Sequence, residues 1–179
     1  MDFDVLIAPT DSLQISLAYA YVDAEYKEWD REYPSGSGKI LDFSDAPFVY
    51  IAEHSVTGSV KYTLPLDASV GEVSLMGSAY WQDDTEANDS SWVWPTLGWT
   101  QENLDEALAA AVVDDYMVLN FRVDWLGVMG SEFDLAAFVN NADDEQYVTG
   151  GLNVPDSLGW SAAAYGPPRT YGASLRYRF

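Results

Sequence analysis

His54 is the only histidine in the sequence, and there is no cysteine. A Ser/His/Asp triad needs a base within reach of its nucleophile, and structural or catalytic zinc needs His or Cys ligands, so both chemistries lack their parts. His54 also opens an alternating segment on its apolar side, which is a poor place for a base. Carboxylates are plentiful instead: 29 Asp and Glu stand against 8 Lys and Arg, for a net charge of −21. In so acidic a chain, carboxylate pairs at hydrolase spacing arise by chance. The densest run, "DDTEANDSS" (Asp83–Ser91), offers Asp83, Asp84, Glu86 and Asp89 to a calcium ion. It lacks the spaced Asp/Asn–Gly pattern of a calcium loop, and a solvated acidic loop is the better reading. The expectation is therefore no enzyme, no metal and no cofactor. Nucleic acid is excluded as a partner because no basic stripe exists to displace phosphate counterions. What remains is "WVWPTLGW", where Trp92, Trp94 and Trp99 fall within eight residues. These indoles suit stacking on an aromatic or sugar ligand, or packing within their own loop.

Most of the other residues follow a period of two, the signature of half-buried strands. Ile15, Leu17, Tyr19 and Tyr21 alternate with Gln14, Ser16, Ala18 and Ala20. His54, Val56, Gly58, Val60, Tyr62 and Leu64 alternate with Ser55, Thr57, Ser59, Lys61 and Thr63. The same pattern runs through 72–82, 117–125, 132–140 and 170–179, and a shorter piece, Phe3–Ala8, carries Phe3, Val5 and Ile7 on one side. Seven strands of about 10–13 residues are predicted. Short connections with turn chemistry, "PTDSL", "PLDASV" and "GVMGS", alternate with long ones near 30–52, 84–115 and 141–168. Loops this long are usually functional. The middle one contains "TQENLDEALAAAVV", where Thr100 suits an N-cap, Glu102 the first turn, and Leu104, Ala107, Leu108 and Ala111 one face of a short loop helix. The three loops hold sixteen acidic residues and only two bases, Arg31 and Lys39.

Periodicity alone does not say what the apolar face meets. In a soluble β-sandwich it would be buried; in an outer-membrane barrel it faces lipid while the polar face lines a lumen. Ten residues rising ~3.3 Å each at a tilt of ~40° span roughly 25 Å, the height of a barrel's apolar band. Short turns at one end and long loops at the other, with Tyr and Trp near the strand ends, match a barrel's two rims. No run of 18 apolar residues offers a spanning helix, and the N-terminal residues do not read as a signal peptide. The predicted fold is all-β: an antiparallel transmembrane β-barrel segment with short periplasmic turns and long extracellular loops. By parity Lys61, Arg122, Asp124, Arg176 and Arg178 face the lumen, where pairing with one another or with a plug is favoured over substrate conduction.

Three segments then match a known family. "NNADDEQYVTGG" (Asn140–Gly151) resembles the Asn-Leu-Thr-Asp-x-x-Tyr segment near the end of TonB-dependent outer-membrane receptors, with Asn141, Asp144 and Tyr147 on its fixed positions and Ala142 and Asp143 departing from it. "GPPRTYGASLRYRF" resembles their C-terminal strand, and "PTDSLQISLAYAYVDAEYKEW" a recurrent barrel hairpin through Tyr21, Asp23, Ala24 and Tyr26. The resemblance implies that residues 1–179 are the C-terminal portion of a receptor barrel of about 22 strands, without its plug domain. It implies active uptake of a scarce solute such as a ferric siderophore at the cell outer membrane. It also implies that Tyr171, Leu175, Tyr177 and Phe179 form the signal read by the barrel assembly machinery. The implied partners are outer-membrane lipid, the remainder of the barrel and plug, the TonB system acting through that plug, and the small-molecule ligand. The alternatives are a soluble β-sandwich binding ligands or glycans at the Trp loop, and a nonfunctional truncated receptor remnant.

Overall fold

The computed structural model describes the whole chain, Met1–Phe179. Along it run β1 (Asp2–Thr10), β2 (Leu13–Tyr21), the short β3 (Asp30–Glu32) and β4 (Ile40–Asp42), β5 (His54–Thr63), β6 (Glu72–Gln82) and the two-residue β7 (Thr85–Glu86). A 3-10 turn over Ser91–Thr96 leads to α1 (Gln101–Ala111), β8 (Val112–Val113) and β9 (Tyr116–Leu126). A second 3-10 turn, Val128–Gly130, precedes β10 (Phe133–Asn140), β11 (Val148–Val154), β12 (Trp160–Tyr165) and β13 (Thr170–Tyr177). The long strands form one seven-stranded antiparallel sheet in the order β1-β2-β5-β6-β9-β10-β13. These are the seven predicted strands, although they run 8 to 11 residues rather than 10–13. The six short strands were not foreseen. They pair as β3–β4, β7–β8 and β11–β12, one small hairpin within each of the three long connections.

Register confirms the alternation across strands. Val5, Leu17 and Gly58 lie opposite one another on neighbouring strands, as do Gly58 and Ala79, and Ala79 and Leu119. Each of these is on the apolar face. One step along lie Ser16, Ser59, Ser78 and Asn120, on the polar face. The Ser16 and Ser59 hydroxyls hydrogen-bond across it at 2.7 Å.

Neither face is covered. Of the 15 buried residues only Ser74 and Val118 belong to the large sheet. On the apolar face Leu17 is 45% exposed and Leu175 66%. The soluble sandwich is thereby corrected: it requires a second sheet across a dry core about 10 Å thick, and the only other sheets are the three two-stranded hairpins. No helix is long and apolar enough to cross a membrane.

Aromatic side chains mark the two rims of the apolar face. Tyr19, Tyr21 and Trp81 lie at the loop end, with His54 stacked against both tyrosines and its Nδ1 2.8 Å from the Tyr19 hydroxyl. Tyr62, Trp125, Phe133, Tyr177 and Phe179 lie at the turn end, with ring centroids 5.0 Å apart for Phe133–Tyr177 and 5.3 Å for Tyr177–Phe179. Both rim indoles point their N–H at polar partners: Trp81 at Asp115 Oδ2 (3.2 Å) and Trp125 at the Val70 carbonyl (2.8 Å). An amphipathic ring with a wet end suits an interface between hydrocarbon and water. Between the rims the face is mostly aliphatic or small, with Phe121 as its ring. Phe121 fills the space over Gly77, where an added Cβ would sit 3.3 Å from it.

The turn end is tight. Gly71 (φ +91°) abuts the next turn, and a Cβ there would lie 2.4 Å from the Gly127 carbonyl oxygen, so only glycine fits.

Candidate functional site

The hydrophobic core sits in the loops. Its first cluster is Tyr33, Phe43, Ala46 and Val93, with Trp29, Leu41 and Leu97 against it. Arg31 is folded into this cluster: its guanidinium lies over the rings of Phe43 (3.9 Å), Trp29 (5.0 Å) and Tyr33 (5.6 Å). It also donates to both carboxylate oxygens of Asp89, at 2.7 and 3.1 Å, and to the Ser90 hydroxyl. A planar guanidinium stacks and forks at once, which an ammonium does not. Arg31 thus ties the first loop to the second, and Asp89 of the acidic run is taken by that pairing. No group of acidic side chains in the chain gathers to hold a metal ion. Glu86, in the same run, is partly buried with Oε2 unpartnered; burial and then Asp84 push its carboxyl up, opposed by a hydrogen bond from Ser91.

The second cluster is Trp94, Ala107 and Ala111, flanked by Leu97, Trp99, Leu104 and Leu108. The predicted helix is α1. Its N-cap is Thr100, whose hydroxyl accepts from the Asn103 N–H at 3.4 Å, and the predicted face of Leu104, Ala107, Leu108 and Ala111 packs on Trp94. Small alanines let the helix approach the indole closely. The three tryptophans proposed from sequence as one contact surface occupy three different environments. Trp94 is fully buried and serves packing. Trp92 is 45% exposed and meets Phe43 edge-on at 5.2 Å. Trp99 is half-buried, stacks on Trp94 at 5.8 Å, and lines a cleft.

That cleft, about 620 Å³, lies between α1 and the turn joining β11 to β12. Trp99, Asn103 and Glu106 line it from the helix side, and Asp156, Trp160 and Ser161 from the hairpin side. Asn153, nearly fully buried, fixes the two walls relative to each other: its side-chain amide donates to the Ala110 carbonyl, while its own carbonyl accepts from Asn88. The Tyr33 hydroxyl donates to Asp156 from below. Burial first, then this bond to a carboxylate, push the Tyr33 phenol well up from its ordinary value. Trp160 was missed by sequence reasoning because it lies in the third loop, far in sequence from the tryptophan run.

On the sheet's polar face, Lys61, Arg122, Asp124, Arg176 and Arg178 share one side. Lys61 lies opposite Met76, and Met76 opposite Arg122. Arg122 forks onto Asp124, with Nη2–Oδ1 at 2.6 Å. Arg178 pairs with Asp134 at 3.1 Å, and Asp134 in turn accepts from the Gly127 N–H at 2.8 Å, stitching strand to turn. Arg176 is opposite Asp134 in register without an ion pair to it. At the end of the chain Tyr171, Leu175 and Tyr177 pair with Val139, Leu135 and Phe133 on the apolar face. There Tyr171 is 83% exposed, and Phe179 beyond it is wholly exposed.

The motif at 140–151 is explained by what it joins. Asn141, 2% exposed at φ +51°, accepts from the Glu145 N–H (2.8 Å) and donates to the carbonyls of Glu145 (2.8 Å) and Pro167 (3.1 Å). Asp144 accepts from the Arg169 N–H at 3.0 Å and faces its guanidinium at 3.4 Å. Tyr147 stacks on Tyr116 at 4.5 Å and packs against Gly166. Asn and Asp tolerate positive φ while capping local backbone groups. Together these residues clamp the end of β10 to the start of β13 across a long excursion.

No protein-family model matches the sequence. Solved structures do. The chain superposes on the siderophore receptor PiuA from Acinetobacter baumannii with a TM-score of 0.61 at 17% identity, over 97% of this chain and 20% of that one. For the ferric yersiniabactin uptake receptor FyuA from Yersinia pestis the values are 0.64, 13%, 99% and 23%. For the ferric-catecholate import receptor Fiu from E. coli K12 they are 0.62, 18%, 97% and 20%. The chain spans about a fifth of the length of these receptors. Its fold is that of part of an outer-membrane receptor barrel with the attached outer loops.

Proposed function

We propose that residues 1–179 are barrel wall and extracellular loops of a TonB-dependent outer-membrane receptor that takes up a scarce solute of the ferric siderophore class. The observation that carries this reading is the uncovered sheet: one face aliphatic between two aromatic rims, the other polar, with the packed core displaced to one end. A sheet with such faces is stable where hydrocarbon meets one side and water the other. The aliphatic face then meets outer-membrane lipid. The polar face, with Lys61, Arg122, Asp124, Arg176 and Arg178, lines the lumen, where a plug supplied by the rest of the receptor would lie and couple to TonB. Tyr171, Leu175, Tyr177 and Phe179, exposed along the last strand, are the features an assembly machinery could read before the strand is covered. The fold neighbours named above as siderophore receptors support the ligand class. The loop layer, with its cleft, would be the first surface a solute meets.

The test is uptake in cells. Deleting the segment that encodes β5 to β13 should abolish proton-motive-force-dependent accumulation of iron from a ferric chelate under iron limitation. Restoring the segment in place should restore it. Unchanged accumulation of every ferric chelate tried, or recovery of the chain in the soluble fraction, overturns the reading.

A further inference from the structure

The cleft between α1 and the β11–β12 turn has a composition that selects by charge. Two indoles, Trp99 and Trp160, come from its two sides, and two carboxylates, Glu106 and Asp156, line it with the neutral Asn103 and Ser161; none of its lining residues is basic. Trp99 is held by its stack on the buried Trp94, Asp156 by the Tyr33 hydroxyl, and the walls by Asn153. Glu106 has no hydrogen bond or ion pair within the protein, so its charge is free for a ligand. Little in the surroundings offsets it: the three long loops carry two bases, and Arg31 is already engaged with Asp89.

The geometry points to this cleft as a binding site for an organic cation, an ammonium- or guanidinium-bearing molecule whose charged end sits between indole faces and carboxylates. Aromatic faces attract cations through the ring quadrupole, most strongly for Trp. Carboxylates in a partly enclosed cleft add to that attraction and raise the local concentration of cations. An anionic chelate, such as iron bound by three doubly ionised catecholates, meets two like charges and no base. As the first contact of the proposed receptor, the cleft deepens that reading by naming the charge class of the solute. The binding itself is measurable whether or not transport occurs.

Three probes of one shape separate the contributions: choline, its uncharged carbon isostere 3,3-dimethylbutanol, and the anion 3,3-dimethylbutanoate. Binding to the full chain in detergent micelles is followed by ligand-observed NMR at low salt. Choline should bind roughly tenfold more tightly than the alcohol, and the carboxylate should show no binding. Glu106→Gln should weaken choline several-fold while leaving the alcohol unchanged. Trp160→Leu should weaken both. Since Glu106 makes no internal contact of note, its amide variant tests charge without threatening the fold. Equal affinity for choline and the alcohol overturns the proposal, as does absence of choline binding at millimolar concentration or a Glu106→Gln variant that binds choline as before. None of those failures touches the barrel assignment, which membrane partitioning and uptake read separately.

Discussion

The sheet and the loop layer solve the burial problem in opposite ways. In the sheet, apolar side chains such as Leu17, Phe121 and Leu175 stay exposed on one face although they alternate strictly with polar ones. In the loops, Phe43 and Trp94 are completely buried, in segments with little repetitive structure. Water on every side forces a segment to make its own core, which the loops do with aromatics, one stacked arginine and a short helix. Hydrocarbon removes that need, because lipid accepts the apolar face as well as a second protein layer would, while the ladder satisfies the backbone. On the proposed reading, the absence of a core beneath the strands is a property of their solvent.

Substitutions should therefore have opposite consequences in the two regions. The largest effect is expected for Trp94→Ala, about 3–5 kcal/mol by analogy with large aromatic truncations in cores. It should loosen the loop layer, read as rapid proteolysis within 84–115, while the sheet remains assembled. Next is Leu119→Arg at mid-strand on the apolar face, expected to cost about 2–4 kcal/mol of membrane stability. Ser78→Arg, on the polar face of the neighbouring strand, should cost little. Urea titration in bilayers compares them, and equal costs would erase the distinction between faces. Asn141→Ala should follow at roughly 1–3 kcal/mol, since it removes a buried side chain that serves the Glu145 N–H and two carbonyls. It should release the β11–β12 excursion in hydrogen exchange before either neighbouring strand. Thr100→Ala, which removes the cap of α1, should cost about 1 kcal/mol, seen as faster exchange in the first turn.

A pH titration sharpens the same contrast. The Tyr33 phenol is raised in the folded loops, so folding favours its protonated form. Its contribution is whole below the unfolded value near ~10 and declines as the pH climbs above it towards the folded value. Loop-layer stability should fall above about pH 10, and Tyr33→Phe should remove that part of the dependence. That substitution should leave the pH dependence of the sheet itself unchanged.

How much of this was legible follows from the same physics. Period-two alternation is imposed by the pleat, so the seven strands and their faces could be read from positions such as Ser55–Thr63. The α1 helix could be read because Thr100 and the Leu104–Ala107–Ala111 spacing are local signals. The three small hairpins could not: β3, β4, β7 and β8 are two or three residues long, too short for a period, and β11 and β12, "VTGGLNV" and "WSAAAY", lack a clean alternation. Trp92, Trp94 and Trp99 looked like one surface because they are close in sequence, yet a 3-10 turn separates them into interior, edge and cleft. Trp160 and the Arg31–Asp89 clamp depend on pairings 50 or more residues apart, which no local pattern announces. The motif at Asn141, Asp144 and Tyr147 was recognised by resemblance, and only the structure gives its mechanical reason.

The most direct test of the two-faced sheet is spin-label accessibility along β9 in a lipid bilayer. The chain has no cysteine, so single cysteines introduced from Val118 to Asp124 report one position each. Oxygen accessibility should peak at 119, 121 and 123, and a water-soluble nickel chelate should reach 120, 122 and 124 instead. Equal nickel accessibility at both sets, with no alternation, would contradict a strand that divides hydrocarbon from water.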